Sequence, residues 1–180
     1  MVLLWMHIVC MILILLFSLF YSLNLILTPK SSIIIKVICI MVLLAVLYIG
    51  VNRNTYLPFL GYAAMPPSVF IEGSPKDASN EAIIRVDAPN GSKVVYWAAT
   101  DSGNDTIAAN PYIAYGDYSN SGVAIVENKR ALLHFHCPDR YNVNKYTIDK
   151  HVHYRVIEVN NPIMSPVYTK YVRCREANNT

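Results

Sequence analysis

The fold class the sequence predicts is a membrane-anchored all-β protein, with an N-terminal transmembrane helical hairpin followed by an antiparallel β-sandwich of about seven strands. Three observations predict it. Charge is segregated: residues 1–60 hold no Asp or Glu and only Lys30, Lys36 and Arg53, whereas residues 61–180 hold all 12 acids. Two long apolar runs lie in the first part. Short β-branched and aromatic runs, separated by turn residues, fill the second. The 180 residues are too few for two large soluble domains. The formal charge of +3 belongs to the first part, so no basic face points to nucleic acid as a partner.

The first apolar run, VLLWMHIVCMILILLFSLFYSLNLIL (residues 2–27), exceeds the about 20 residues a bilayer crossing needs. It lacks the basic start and small-x-small site of a cleaved signal peptide, so it reads as a retained helix. The second run, IIIKVICIMVLLAVLYIGV (residues 33–51), carries Lys36 near its start, where the long stem reaches toward headgroups. TPKSS, with Pro29, forms the turn between them. The expected organisation is two transmembrane helices in 1–51, a proline-rich linker over 52–68 and a sandwich over 69–180. The bilayer is then the first expected partner and the localisation integral and multi-pass. Loop lysines set against Arg53 favour a cytoplasmic loop.

Within the sandwich, EAIIRVDAP and KVVYWAA flank Asn90-Gly91, a strong hairpin cue. VAIVE and RALLHFHC flank Asn128-Lys129, and HVHYRVIEV and PVYTKYVRC flank Asn160-Asn161-Pro162. Residues 100–122 are irregular, rich in Asn, Gly, Asp and Tyr. Cys10 and Cys39 read as small apolar residues of the helices. Cys137 and Cys174 either pair in an oxidising compartment or stay as buried thiols.

Four of the five histidines lie in HFHCPDRYNVNKYTIDKHVHYRV, residues 134–156, as two His-x-His pairs. Strand alternation puts both rings of a pair on one face. Ala131, Leu133, Phe135 and Cys137 then oppose Leu132, His134 and His136, and Val152, Tyr154 and Val156 oppose His151, His153 and Arg155. Two imidazoles on one face suit zinc, copper, iron or nickel. They equally suit a solvated strand face.

The order of these residues resembles the core of the intradiol ring-cleavage dioxygenases. Pro138-Asp139-Arg140-Tyr141 precedes His151-Val152-His153-Tyr154, and KVVYWAATDSG places Trp97 near a strand end. The match spans residues 81–159 and is also similar to the broader transthyretin-like β-sandwich. The resemblance implies a ferric ion with Tyr141, His151 and His153 as ligands; apart from it, His134 or His136 of the other His-x-His pair is a further candidate for a residual metal site. It also implies a first tyrosine one turn after the Trp97 strand, where the sequence reads TDSGNDT; Tyr112, Tyr115 or Tyr118 serves only if that loop folds back. An arginine that stabilises the anionic substrate is implied at the position of Ile148, with Lys150 adjacent. Loss of a ligand and that cation together implies lost catalysis.

The leading expectation is therefore a non-enzymatic, membrane-anchored structural protein with no cofactor, whose partners are the bilayer and neighbouring proteins of an assembly. A minor capsid or membrane protein linking a virion shell to an internal bilayer fits that architecture and composition. The NPYIAYGDYSN tyrosines supply amphipathic contact area for such an interface. Two alternatives stand beside it: a membrane-tethered ferric dioxygenase-like enzyme holding iron, and a transthyretin-like binding module.

Overall fold

The computed structural model describes residues 2–52, 56–58, 63–100 and 107–174, and the chain divides into two units, Met1–Phe59 and Leu60–Thr180. In the first, α1 (Val2–Leu27) packs along α2 (Ile33–Val51). Thr28 ends α1 by turning its backbone N–H (3.0 Å) and hydroxyl (2.8 Å) onto Asn24 O, and Pro29 forbids continuation. Ser22 and Cys39 are buried, while large apolar side chains such as Phe17 and Tyr48 are exposed.

Among the described residues, no helix is long and apolar enough to cross a membrane. A crossing needs about 20 predominantly apolar residues. Ser18, Ser22 and Asn24 interrupt the apolar run of α1, and Lys36 that of α2. This overturns the expected transmembrane hairpin, the membrane-anchored fold class and the multi-pass membrane localisation. The virion and capsid attributes built on that anchor fall with it.

The second unit is mostly β-sheet. Its described strands are β1 (Ala63–Ala64), β2 (Asn80–Arg85), β3 (Lys93–Ala98), β4 (Ser121–Ile125), β5 (Arg130–Phe135), β6 (Tyr141–Val143), β7 (Tyr146–Ile148), β8 (His151–Ile157), β9 (Ile163–Met164) and β10 (Tyr168–Tyr171). A short helix, α3 (Pro111–Tyr115), precedes β4. Ten described strands stand where about seven were expected, because four of them have only two or three residues and carry too little alternation to be read. The larger sheet runs β1-β9-β8-β3-β4, with β10 also on β8; β2-β5 and β6-β7 form separate pairs.

The expected Asn90-Gly91 hairpin does not pair its flanking strands. Gly91 takes φ 85° and the chain turns there, but β2 pairs β5 while β3 pairs β4 and β8. The turn is a corner between two sheets. Asn128 and Lys129 likewise make a tight turn, both at positive φ, and the chain passes from β4 to β5 across it.

The core lies between the β2-β5 pair and the inner face of the larger sheet. Ile84, Ala131, Leu133 and Phe135 meet Val94, Tyr96, Ala98, Ala124 and Val152 there. Strand β3 is buried on both faces, so Val95 and Trp97 face away from this core and are still covered. On β8, Val152 points inward and His151, His153 and Arg155 point to the outer face. That outer face, not the sandwich interior, carries the site described below.

Asn120 joins the two layers. Its amide donates to Ala99 O (2.8 Å) and His136 O (3.0 Å), and its oxygen accepts from His136 N (2.9 Å). Replacement by Ala would strand two carbonyls and one N–H in a fully buried place. Asn120→Ala is expected to cost about 3 kcal/mol of unfolding free energy in urea titration; a loss indistinguishable from zero would refute the link.

Gly122 is the close-approach point of β4. A Cβ there would overlap the Tyr96 phenol and lie 2.6 Å from Gly73 O. Tyr96 cannot swing aside freely, since its hydroxyl donates to His134 O at 2.8 Å. Gly122→Ala is expected to lower stability by about 1–3 kcal/mol, read as a drop in melting temperature.

Candidate metal centre

The outer face of β8 presents two imidazoles because positions 151 and 153 share a side of the strand. Two segments bring phenols onto them. The first is β6, whose opening residue Tyr141 follows Pro138 and pairs with Ile148 across the β6-β7 hairpin. The second is α3. Asn110 caps it by accepting from Ile113 N (3.1 Å), Pro111 starts it, and Gly116, at φ 49°, closes it with an N–H to Tyr112 O. The Thr100 N–H donates to Ala114 O (2.7 Å), and the Asn142 N–H to Ala108 O (2.9 Å). Those two bonds lay the returning chain over the end of β3 and beside β6, and so aim Tyr115 at the histidines.

The four side chains converge. Tyr115 Oη lies 2.9 Å from Tyr141 Oη and 3.1 Å from His151 Nε2. Tyr141 Oη is 3.1 Å from His151 Nε2, which is 3.2 Å from His153 Nε2. The rings are stacked about this point, Tyr115 edge-on to Tyr141 at 5.4 Å and His151 edge-on to His153 at 4.5 Å. Trp97 (5.5 Å from His153) and Tyr171 (5.8 Å from His151) wall it.

The outward nitrogens fix the ring orientation. His151 Nδ1 donates to Asp149 O at 2.6 Å, which leaves Nε2 with its lone pair toward the phenols. His153 Nδ1 lies 2.9 Å from Thr169 Oγ1, an acceptor for Nδ1–H when Nε2 carries a lone pair. Such outer partners hold metal-ligating imidazoles in place. Burial, joined by the neighbouring Tyr141, pushes the Tyr115 phenol far up from its ordinary value. Burial also raises Tyr141 and lowers His151. His153 is pulled down to about 3 by burial and by the adjacent His151. All four groups are neutral at pH 7 without a cation among them, and each would favour its anionic or lone-pair form beside one.

The donor set fits a single ion. Ligands about 2.0–2.1 Å from a shared ion stand on the order of 3 Å apart, the spacing seen here. Two phenolates and two imidazoles form a hard, doubly anionic set that suits ferric iron; no thiolate is present to favour softer metals. Among the described residues no group of three or more His, Cys, Asp or Glu could hold a metal. The convergence here depends on tyrosine.

Tyr141, His151 and His153, the residues expected to be ligands, lie together. Tyr115, one of three tyrosines offered by the 110–120 stretch, joins them; Tyr112 is exposed and Tyr118 stacks behind Tyr115 at 5.9 Å. The cap signals Asn110, Pro111 and Gly116 in a stretch read as irregular were the cue to the helix that delivers Tyr115. His134 does not reach the site: it is exposed on β5, opposite Glu81. His136 is tied by its backbone to Asn120. Ile148 sits half-buried opposite Tyr141, and Lys150 donates to Cys137 Sγ at 3.1 Å. Cys137 and Cys174 are disulfide-bonded, Cα atoms 5.6 Å apart.

The site defined by these contacts is a four-donor, tyrosine- and histidine-built candidate metal centre on an outer sheet face. No family model matches the chain, and no curated protein matches it. A distant structural neighbour is the dioxygenase domain of a dioxygenase–carbohydrate-binding protein fusion from the cellulolytic bacterium Streptomyces sp. SirexAA-E, with 16% identity and a TM-score of 0.35. The alignment covers 56% of this chain and 60% of that one.

Proposed function

We propose that the chain is a mononuclear ferric protein with ring-cleaving dioxygenase chemistry toward aromatic vicinal diols. The observation that carries this reading is the meeting of Tyr115 with Tyr141 and His151 within 2.9–3.1 Å, with His153 alongside. The sequence order implied three such donors by resemblance, and the fourth arrives from α3.

Tyr115, Tyr141, His151 and His153 would hold the ion. Ferric iron so held would supply Lewis-acid chemistry toward a vicinal diol. The chain's own part is to give up two phenol protons, offset two of the three positive charges, and keep both imidazoles neutral and oriented. Tyr171, exposed beside His151, supplies an aromatic face against which a planar diol can lie, while the buried Trp97 backs His153. Ile148 stands where the resemblance implies a guanidinium, so that position stabilises no developing anion. The turnover expected of such a site is lower by roughly 10²–10³ than one that has the cation.

The test uses the purified chain loaded with ferric iron and freed of excess. Near-stoichiometric iron, a visible phenolate-to-iron absorption band and oxygen-dependent ring opening of catechol are the expected results. A chain that stays colourless and iron-free after loading would sink the proposal. A coloured chain that leaves catechol intact would remove the enzymatic half.

A further inference from the structure

We infer that the Cys137–Cys174 disulfide and Thr169 form a redox-sensitive clamp on the metal centre, with Thr169 the positioning residue for His153. The inference rests on the ferric reading of the site.

Strand β10 is an edge strand whose described pairing is with β8 alone, in the register Thr169 opposite His153 and Tyr171 opposite His151. All four of its residues are exposed. An edge strand that buries so little is held weakly and opens at low free-energy cost. Yet it supplies three site contacts: Thr169 Oγ1 to His153 Nδ1 at 2.9 Å, a hydrogen bond between the Tyr168 backbone and His153, and the Tyr171 ring beside His151. Something must hold it.

The disulfide does so from the far end. Val172 N donates to Lys150 O at 3.1 Å, and two residues later Cys174 is bonded to Cys137. Cys137 lies two residues beyond β5, in the other sheet, and begins the segment that leads to Tyr141. The bond thus staples β10 across the layers, and its sulfur also receives Lys150, the neighbour of His151. Two ligand-bearing segments and one ligand-orienting strand meet at a single S–S bond. A dithiol that delivers two electrons would break it, giving the thiols of Cys137 and Cys174 and its own disulfide. Strand β10 would then be free to leave, and Thr169 with it.

The experiment follows hydrogen exchange and iron affinity in the full chain, oxidised and dithiol-reduced, the freed thiols being alkylated and the dithiol removed before ferric iron is added. Reduction is expected to speed amide exchange at residues 168–171 in the metal-free chain while β3 stays protected. It is also expected to weaken iron binding by about 10–100-fold, the usual scale for loss of an outer partner. Thr169→Val, which keeps the strand and the disulfide, is expected to weaken iron to the same degree and shift the visible band. Thr169→Ser is expected to restore both. Should reduction unfold the chain, as lost β3 protection would show, Thr169→Val decides alone. An oxidised chain that takes up no iron overturns the ferric reading and the clamp with it. A chain that binds iron equally well when oxidised, reduced or carrying Thr169→Val overturns the clamp and leaves the ferric reading standing.

Discussion

Replacing Tyr115 by Phe is expected to weaken iron binding by more than about 100-fold and to abolish or shift the visible band, with the fold kept. The bound is set by outer-shell partners, whose loss already costs about 10–100-fold; a donor itself must count for more. The ring would keep its packing, since its contacts with Tyr118 at 5.9 Å and Tyr141 at 5.4 Å do not involve the hydroxyl. What disappears is one oxygen, bonded to Tyr141 Oη and His151 Nε2. About 1 kcal/mol of stability goes with it. Tyr112→Phe is the matched control, because Tyr112 is exposed on the same helix. Equal iron content in the two variants, measured by metal analysis after desalting, would show that Tyr115 is no ligand.

Iron affinity is expected to rise about 100-fold per pH unit between roughly pH 6 and 9. The sign follows from the metal-free state. Burial raises both Tyr115 and Tyr141 above the ordinary phenol value of 10.0, so each carries its proton throughout that range. His151 and His153 are lowered from 6.5, so neither has one to lose above neutrality. Binding as phenolates therefore expels two protons, and acid, by supplying them, drives the ion off. Competition against a chelator of known proton balance measures the slope. A slope near zero would mean that neither phenol ionises and would refute the two-phenolate site.

Two of the four candidate donors are legible in the sequence because a strand writes its face in alternate letters. HVHY puts His151 and His153 together by period alone, whereas Tyr141 is implied only by the resemblance of its Pro-x-x-Tyr order to a known family. Tyr115 is not legible in that way. Its approach depends on two backbone bonds, Thr100 to Ala114 and Asn142 to Ala108, between segments many residues apart. No local pattern encodes those. Strand pairing shows the same division. The turn at Asn90-Gly91 is local and readable, but whether its two strands pair or part is decided by β5 and β8, which compete for them through the core. The N-terminal helices carry a different lesson. Apolar composition over 2–27 and 33–51 marks two helices, whereas the expected bilayer crossing does not stand, since no described helix has the needed apolar length.

The separation of the donor cluster from the sandwich interior has an evolutionary consequence. Val152 serves the core and His151 and His153 serve the site, on opposite faces of the same seven-residue strand. Selection on one face leaves the other free to drift. A descendant could exchange the buried donors for apolar residues of similar size and still assemble its two layers, and a donor-free ancestor could acquire the cluster one outward position at a time. Chemistry on such a scaffold is cheap to lose and open to regain.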